Sequence, residues 1–145
     1  MAPRFGSVNF VLADVAGAVA FFAALGVDMG GSFGEWDAHH RTVPGGSPDT
    51  DADLDSVEFA DFWGGVPSEL APTAVLNLDV DTRADVDALH ARALELGATE
   101  LKAPWDAFWG ARFSVVLAPG PLAVGLMSPM DPAHRTAGPE VTDFA

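Results

Sequence analysis

Alternating apolar and polar positions open the chain and then give way to a helical period. Residues 7–15, SVNFVLADV, alternate and are rich in β-branched and aromatic side chains, which predicts a strand. Asp14 is a suitable N-cap and Gly26 a suitable residue to end a helix. Between them the apolar positions recur at helical spacing, at Val15, Val19, Phe22 and Leu25. The pattern therefore predicts a strand followed at once by an amphipathic helix.

The same order of elements recurs in the second half. Residues 73–80 have a strand pattern, and residues 82–97 have a helical one that opens with a capping-box-like pair, Thr82 and Asp85. The offset of 71 residues that separates Gly26 from Gly97 also aligns five more identical residues with Ala13, Asp14, Val15, Ala20 and Leu25. An offset this long favours a duplicated structural unit over a solenoid repeat.

Further strands are predicted after each helix. Residues 34–43 and 54–64 have strand patterns, although the second stretch could hold a short helical turn at residues 56–62. In the second half a short strand is predicted at residues 98–103. A hairpin around Pro119, Gly120 and Pro121 is predicted to join residues 111–118 and 122–127.

The length and composition indicate one folded domain. With 145 residues, 49% of them hydrophobic, the chain can bury a substantial core. We expect an α+β fold with a β-α-β-β-β unit at residues 1–66, a second at 67–130, and a polar, loosely held tail at 131–145. No run of about 18 apolar residues predicts a membrane span. The N-terminus lacks a signal-peptide pattern, so a cytoplasmic location is expected.

The charge of the chain bears on its partners. Twenty-one acids against seven bases give a formal net charge of −14, which repels phosphate backbones and argues against nucleic-acid binding. Such a field favours encounter with a cationic or neutral small molecule, although solubility alone would also account for it. The chain has no cysteine, which excludes disulfides and thiolate-bound metals.

Four stretches of the sequence resemble one known superfamily. They are VLADVAGAVAFFAALG, VPGGSPDTDADLDSVEFA, VLNLDVDTRADVDALHARALELGA and PWDAFWGARFSVVLAPGPLAVGLMSP. They are similar to the vicinal oxygen chelate superfamily, the group of glyoxalases, bleomycin resistance proteins and extradiol dioxygenases. The resemblance implies two βαβββ modules that form an eight-stranded, cup-shaped sheet, an incomplete barrel with its helices on the outside. It also implies a ligand in the cup and a homodimer.

The sequence departs from the metal site that the resemblance implies. Metal-using members carry a histidine at the start of the first strand of each module and a glutamate in the closing strand. The corresponding positions fall at residues 7–9, at about Ala74 and at Gly125. Apart from a weak serine or asparagine oxygen, these are not competent ligands for a divalent metal. We therefore expect a metal-free branch without a cofactor, with a divalent metal as the alternative.

An acidic run in the first half imitates a calcium loop. Asp49, Asp51, Asp53 and Asp55 alternate as calcium ligands do, but the required glycine and the closing glutamate are absent. The run predicts a solvated acidic loop. Asp55 is the exception, because it begins the DSVEFA segment that matches the superfamily.

Tryptophans in an irregular segment indicate a ligand site. Trp105 and Trp109 lie four residues apart in APWDAFWGARFSVV, where a proline and a glycine favour a loop that enters a strand. Such rings either fill the core or line a pocket for a flat ligand, and we expect the pocket. Arg112 would hold a carboxylate or carbonyl there, or would pair with Asp106. Trp36 and Trp63 are expected in the same walls.

Two adjacent histidines offer proton chemistry. His39 and His40 point to opposite faces if they lie on a strand, so at most one faces the cup and they cannot easily hold one ion. An inward histidine beside Asp55 or Glu58 could act as a general base. The candidate ligand-binding residues are thus Trp36, His40, Asp55, Trp63, Trp105, Trp109 and Arg112.

Three functions are compatible with these patterns. The preferred one is a metal-independent protein of the bleomycin-resistance type that binds a planar or cationic compound, such as an antibiotic. The first alternative is a glyoxalase-, epimerase- or dioxygenase-type enzyme with a non-standard metal site or a His–acid pair. The second is a non-catalytic interaction domain whose cup is filled by its own side chains.

Overall fold

One mixed β-sheet organises the protein. The computed structural model describes residues 2–44 and 51–145. Within them, the seven strands are β1 (Arg4–Leu12), β2 (His40–Pro44), β3 (Asp51–Ser56), β4 (Thr73–Asp79), β5 (Thr99–Asp106), β6 (Arg112–Ala118) and β7 (Leu122–Met127). The α-helices are α1 (Val15–Ala24), α2 (Val57–Gly64) and α3 (Arg83–Glu95). The fold is α+β, as the sequence predicts.

The sheet extends outward from a central antiparallel pair. Its strand order is β2-β3-β1-β4-β7-β6-β5, and β1 and β4 run antiparallel in the middle. On each side the next strand is parallel to its central neighbour, β3 to β1 and β7 to β4, and the strand after it is antiparallel. The two halves of the chain therefore meet at the β1–β4 pair.

The first half has one strand fewer than the resemblance implies. In the second half β5 lies outside β6, whereas no strand lies outside β2 in the part of the chain that the structure describes. Residues 34–43, predicted as one strand, begin with a 3-10 helix at Gly34–Ala38, and β2 starts only at His40. Asp37 stabilises this turn by accepting a 2.7 Å hydrogen bond from the backbone N–H of Phe33. The described sheet therefore has seven strands, not eight, and module duplication stays a prediction.

A helix replaces most of another predicted strand. β3 ends at Ser56 and α2 follows, so the helical alternative for residues 56–62 is confirmed. The Ser56 hydroxyl caps α2 by accepting a 3.1 Å hydrogen bond from the N–H of Phe59, and Gly65 ends it with φ of 61°. The prediction of a solvated acidic loop is wrong for Asp51, Asp53 and Asp55, because these residues belong to β3. Asp49 lies outside the described residues.

The two predicted helices are confirmed, but the predicted apolar stripe of α1 is buried only in part: Val15 is buried, whereas Phe22 and Leu25 are 39% and 66% exposed. The side chain of Asp14 accepts a 2.8 Å hydrogen bond from the N–H of Gly17 at the start of α1. Thr82 and Asp85 form the predicted capping box of α3. Among the described residues, no helix is long and apolar enough to cross a membrane.

The helices lie on both faces of the sheet. α1 and α3 pack on one face, where Val15 joins Leu54 in one cluster and Val86 joins Leu126 in another. α2 packs on the opposite face, where its Trp63 belongs to the largest core cluster. The expectation that the helices lie on the outside is therefore wrong for α2, which lies on the same face of the sheet as the cavity.

The C-terminal segment is packed against the domain, contrary to the expectation of a loose tail. The backbone N–H groups of Asp131 and Thr136 donate hydrogen bonds of 3.0 Å to the carbonyls of Gly110 and Phe108. The ring of Phe144 lies 5.0–5.7 Å, between centroids, from the rings of Trp36, His39, Phe59 and Phe62. The polar composition of residues 131–145 predicted a loose tail because it gave no indication that the ring of Phe144 packs against the domain.

Candidate functional site

A cavity of about 770 Å³ opens on the face of the sheet opposite α1 and α3. Strand side chains reach it by the ordinary alternation of a pleated sheet, in which every second residue faces the same side. Further side chains come from α2 and from the loops before β2 and after β5. The cavity thus combines groups from both halves of the chain.

Aromatic rings form one side of the cavity. We call them the aromatic wall: Trp36, Phe59, Trp63, Phe108, Trp109 and Phe113. The centroids of Trp36 and Phe59 are 5.1 Å apart in an edge contact. Phe113 makes similar contacts with Trp63 at 5.8 Å and with Trp109 at 5.2 Å. Because each ring is held by another in a favourable edge-to-face arrangement, the wall is already formed without a ligand.

A chain of hydrogen bonds, which we call the polar floor, crosses four neighbouring strands. Nδ1 of His40 on β2 lies 2.6 Å from Oδ1 of Asp55 on β3. The second oxygen of Asp55 accepts a 2.6 Å hydrogen bond from the amide of Asn9 on β1. The amide oxygen of Asn9 accepts a 2.7 Å hydrogen bond from Nδ2 of Asn77 on β4, which also donates to Oγ of Ser7 at 3.1 Å. The floor thus links β2 to β4 through side chains alone.

The surroundings of His40 favour its charged form. Burial lowers the pKa of His40, but the hydrogen bond and charge of Asp55, with the charge of Asp53, outweigh burial and raise it. Nε2 of His40 lies 3.2 Å from the hydroxyl of Thr42, which donates its own proton to Asp53 at 2.7 Å. Since that hydroxyl has no second proton to offer, it accepts from a protonated Nε2. A doubly protonated imidazole satisfies both contacts.

Arg41 fixes the loop that borders the cavity before β2. Its guanidinium donates to the backbone carbonyls of Met29 and Gly31 at 2.9 and 2.8 Å, and lies 3.2 Å from the carboxylate of Asp37. These contacts hold residues 30–33 beside the cavity, on the side where the first half has no outer strand.

Most of the predicted ligand-site residues meet at this cavity. Five of them line it: Trp36, His40, Asp55, Trp63 and Trp109. Trp105 is not among the lining residues; its ring contacts those of Trp109 at 5.7 Å and Phe62 at 6.4 Å, with Nζ of Lys102 at 4.8 Å from its centroid. The two tryptophans of APWDAFWG therefore have different positions, one beside the cavity and one behind it.

Arg112 lies outside the cavity lining, in an ion-pair network. Its guanidinium is 2.9 Å from Asp87 and 3.2 Å from Asp106, and Arg83 also pairs with Asp106. The pairing of Arg112 with Asp106, one of the two sequence alternatives, is what the structure shows. Ligand binding by any of the seven residues stays a prediction.

Sequence reasoning missed the role of the asparagines in the floor. The counterpart of residues 7–9 in the second half was expected at about Ala74. Ala74 pairs with Phe10, however, and by the alternation of a strand both side chains face away from the cavity. Asn77 occupies the cavity face of β4 instead. A signal was present, because Asn9 and Asn77 each interrupt an apolar strand, and a buried amide needs hydrogen-bond partners.

A Ser–His–acid arrangement, which the sequence does not reveal, lies away from the cavity. Nδ1 of His90 on α3 is 3.0 Å from Oγ of Ser114, and its Nε2 is 2.8 Å from the carboxylate of Glu100. Ser114 has no exposed surface and lies on the face that α3 covers. No substrate can reach this hydroxyl, so it has no nucleophilic role. The hydrogen bonds of the three side chains join α3 to the sheet.

The donor groups of the floor do not fit a divalent metal site. In residues 2–44 and 51–145, no three histidine or acidic side chains converge as metal ligands. Both oxygens of Asp55 already accept hydrogen bonds, from His40 and Asn9. A Cβ added at Gly125, where the superfamily glutamate would stand, would overlap the amide oxygen of Asn77. The floor offers one imidazole and one carboxylate, which are hydrogen-bonded to each other, and otherwise amide and hydroxyl oxygens, a poor set for transition metals that favour several imidazole and carboxylate ligands.

Comparisons with known proteins define the fold. No family model matches the sequence, and no curated protein matches it either. A glyoxalase/bleomycin resistance protein/dioxygenase superfamily member from Vibrio splendidus is similar in structure, with a TM-score of 0.56 and 14% identity over 88% of this chain and 100% of that one.

Two larger enzymes contain a similar unit. The Mn(II)-bound glyoxalase from Novosphingobium aromaticivorans has a TM-score of 0.57 and 19% identity, over 97% of this chain and 43% of that one. A variant of homoprotocatechuate 2,3-dioxygenase from Brevibacterium fuscum has a TM-score of 0.60 and 13% identity, over 90% and 36%. This chain thus spans less than half of either enzyme. It has the fold of the glyoxalase/bleomycin resistance/dioxygenase superfamily, as the resemblance implied.

Proposed function

We propose that this protein binds a small planar or cationic organic molecule in its cavity without a metal ion, as a binding protein of the glyoxalase/bleomycin-resistance type. The observation that carries the proposal is a formed aromatic wall facing a hydrogen-bonded polar floor across about 770 Å³. Pockets of roughly 300–1,000 Å³ with apolar walls and a few placed polar groups suit drug-sized ligands.

The aromatic wall supports flat ligands in particular. Each ring–ring contact is worth about 0.5–1.5 kcal/mol beyond the burial of apolar area. Two or three such contacts, added to burial, suffice for a dissociation constant in the micromolar range, which corresponds to about 8 kcal/mol. The negative charge of the chain would also draw a cationic compound towards the protein.

Native mass spectrometry and fluorescence test the proposal together. The freshly purified protein should carry no stoichiometric metal, and a chelator should leave ligand binding unchanged. Planar compounds from a chemically broad panel should quench tryptophan emission saturably. Trp109→Phe should reduce the amplitude of quenching more than Trp105→Phe, because Trp109 lines the cavity and Trp105 does not. Zinc, nickel, manganese or iron at full occupancy, or no response across the panel, would overturn the proposal.

The His40–Asp55 contact favours a second candidate, a metal-free enzyme of the epimerase or isomerase kind. A carboxylate with no exposed surface orients the imidazole of His40, which lines the cavity, and above its raised pKa the neutral imidazole could act as a general base if Nε2 left Thr42 for the substrate. In such a reaction neutral His40 would remove the proton from the carbon next to a carbonyl to give an enolate, exchange that proton with water, and then protonate the enolate, so that deuterium at that carbon is lost to the solvent.

Isotope exchange distinguishes this enzyme from a binding protein. A panel of α-hydroxy ketones and thioesters that are deuterated next to the carbonyl would be incubated with the protein, and loss of deuterium followed by NMR. Exchange by the wild type that disappears in His40→Gln, with ligand binding retained, supports the enzyme. Absence of exchange from every panel member that binds supports the binding protein.

A further inference from the structure

We infer that two copies of this chain associate through the outer face of α1, in a two-fold symmetric contact of helix against helix. Residues 15–25, VAGAVAFFAAL, contain no polar side chain, and a helix that is apolar on every side is ordinarily buried on every side. Val15 is the only residue of α1 that is buried, whereas Phe21 on the helix and Leu25 at its end are 61% and 66% exposed. We call the exposed face the α1 patch, and it consists of Gly17, Ala20, Phe21, Phe22, Ala24 and Leu25.

The sheet leaves the α1 patch uncovered, whereas the matching helix of the second half is an ordinary surface helix. α3 packs against three strands, β5, β6 and β7, but α1 packs chiefly against β2, β3 and the 3-10 helix that precedes β2. Away from the sheet α3 carries charged side chains, such as Arg92 and Glu95, which are 61% and 66% exposed. The corresponding surface of α1 has only apolar side chains and glycine, so it is the surface that a partner would cover.

Charge favours a second copy as that partner. The chain has a formal net charge of −14, yet residues 15–27 carry no charge. A basic protein would be attracted to the acidic surface elsewhere rather than to this neutral face. A helix that lies on a membrane usually carries lysine and arginine beside its apolar face, and α1 has neither. Two copies of an acidic chain repel each other least where both surfaces are neutral.

The α1 patch is also complementary to itself in shape. Phe21 lies at helical spacing among three small residues, Gly17, Ala20 and Ala24. In a two-fold contact the same surface is used by both copies, so the ring of one copy can lie on the small residues of the other. The rings of Phe21 and Phe22 already hold each other in an edge contact, with centroids 5.5 Å apart.

The size of the α1 patch suits a reversible dimer. An aromatic side chain alone has about 150–250 Å² of surface, and the exposed parts of the patch amount to roughly 500 Å² in each copy. Two copies would thus bury about 1,000 Å², which is close to the lower limit for a specific interface. We expect a dimer that dissociates on dilution, with a dissociation constant in about the micromolar range.

Sedimentation equilibrium of the full chain tests the inference. The wild type should pass from a monomer of 15.1 kDa to a dimer as its concentration rises. Ala20→Glu keeps a good helix former but places like charges opposite each other across the two-fold axis, so it should raise the dissociation constant at least about a hundredfold. Ala91→Glu is the matched control, because the offset of 71 residues aligns Ala91 with Ala20, and Ala91 is exposed on α3. This control should leave the dissociation constant unchanged.

Ionic strength gives a second measurement on the wild type. The acidic residues Asp14 and Asp28 lie at the two ends of the apolar stretch, and both are exposed. Salt screens the repulsion between acidic chains, so raising sodium chloride from about 0.05 to about 0.5 M should tighten the dimer several-fold. A contact that depended on opposite charges would weaken instead, and that result would overturn the inference.

The remaining outcomes also decide. A wild type that stays monomeric up to about 1 mM, or a dimer that Ala20→Glu does not weaken, overturns the inference. A monomer that binds phosphatidylcholine vesicles, with binding lost in Ala20→Glu, overturns it in favour of a membrane surface. If Ala20→Glu does not fold, Phe21→Ser takes its place and should weaken the dimer at least about tenfold, because it removes the largest exposed ring of the patch.

The inference and the proposed function fail independently. α1 and the cavity lie on opposite faces of the sheet, so Ala20→Glu should leave the quenching of tryptophan emission by planar compounds unchanged. A monomeric wild type that binds such compounds would overturn the dimer alone, and a dimer that binds none of the panel would overturn the proposed function alone.

Discussion

Oδ1 of Asp55 lies 2.6 Å from Nδ1 of His40, and this contact joins a carboxylate with no exposed side-chain surface to an imidazole that is 35% exposed. A buried carboxylate is stable only when its oxygens are paired, and here the imidazole and one amide supply the partners. The protonation of His40 is thereby linked to the stability of the domain.

The first prediction concerns the pH dependence of unfolding. The pKa of His40 is raised in the folded protein, where Asp55 outweighs the opposite effect of burial. The folded state therefore holds the proton more tightly than the unfolded chain, whose histidine titrates near pH 6.5. The stabilisation is complete below about pH 6.5 and is lost as the pH rises through the raised pKa. We expect the free energy of unfolding in urea to decline over this interval, and the decline to be smaller in His40→Gln.

Matched measurements distinguish this linkage from a general effect of pH. His134→Gln removes an imidazole whose side chain is 51% exposed, and it should leave the decline in place. An NMR titration should show the imidazole signal that is missing from His40→Gln moving at a pH above the ordinary histidine value. A midpoint below that value, or identical pH profiles for wild type and His40→Gln, would contradict the prediction.

The parts of the fold that follow from local periodicity were predicted from the sequence. Helices α1 and α3 begin directly after their N-caps, Asp14 and Thr82, because each of these residues fits the capping pattern and precedes an apolar stripe. The strand predicted at residues 34–43 is correct from His40 onward but wrong for residues 34–38, because the 3-10 turn there depends on a contact from Asp37 to the preceding loop. The packed tail was missed for a similar reason, since the contacts of Phe144 join elements distant in sequence.

The candidate site was predictable only in its residue types. Aromatic residues and an inward histidine near Asp55 were expected, but the patterns could not show that Trp109 lines a cavity while Trp105 lies behind it. That difference depends on the packing of Trp105 on β5 between α2 and the loop that follows β5. The pairing of Asn9 with Asn77 depends on the register of β1 and β4, which no local pattern contains.

The second prediction tests the position of the Asn77 amide. Gly125→Ala should destabilise the protein by about 1–3 kcal/mol, because the added methyl group would overlap Oδ1 of Asn77 and approach the ring of Phe113. In the double variant with Asn77→Ala the cost should be smaller than the sum of the two single costs, because the clash disappears with the amide. Urea unfolding of the three variants gives this coupling.

Gly31→Ala is the matched control for Gly125→Ala. A Cβ at Gly31 meets nothing within 4 Å, so the same change should alter the free energy of unfolding by less than about 0.5 kcal/mol. Strict additivity of Gly125→Ala and Asn77→Ala, or equal effects of the two glycine substitutions, would show that the amide does not occupy the space beside Gly125.

The third prediction concerns the C-terminal segment as a support of the aromatic wall. Phe144 contacts Trp36 and Phe59, and both of these line the cavity. Phe144→Ala should lower the free energy of unfolding by about 1–3 kcal/mol through lost ring contacts, and should weaken the binding of a planar compound that quenches tryptophan emission. Phe21→Ala, which truncates a ring that is 61% exposed on α1, should leave this binding unchanged. Unchanged stability of Phe144→Ala would mean that the segment does not hold the wall.

The last prediction separates the cavity from the ion-pair network behind it. Arg112 pairs with Asp87 and Asp106 outside the cavity lining, and ion pairs of this exposed kind contribute at most about 1 kcal/mol. Arg112→Ala should therefore lower the free energy of unfolding by less than about 1 kcal/mol and leave the binding of the same planar compound unchanged, as measured by urea unfolding and calorimetry. Trp109→Leu should weaken the same binding several-fold, because it removes a ring from the aromatic wall. If Arg112→Ala weakened binding as much as Trp109→Leu, the guanidinium would have to leave its two carboxylates to contact the ligand. The cavity would then not be the ligand site in the form that the structure shows.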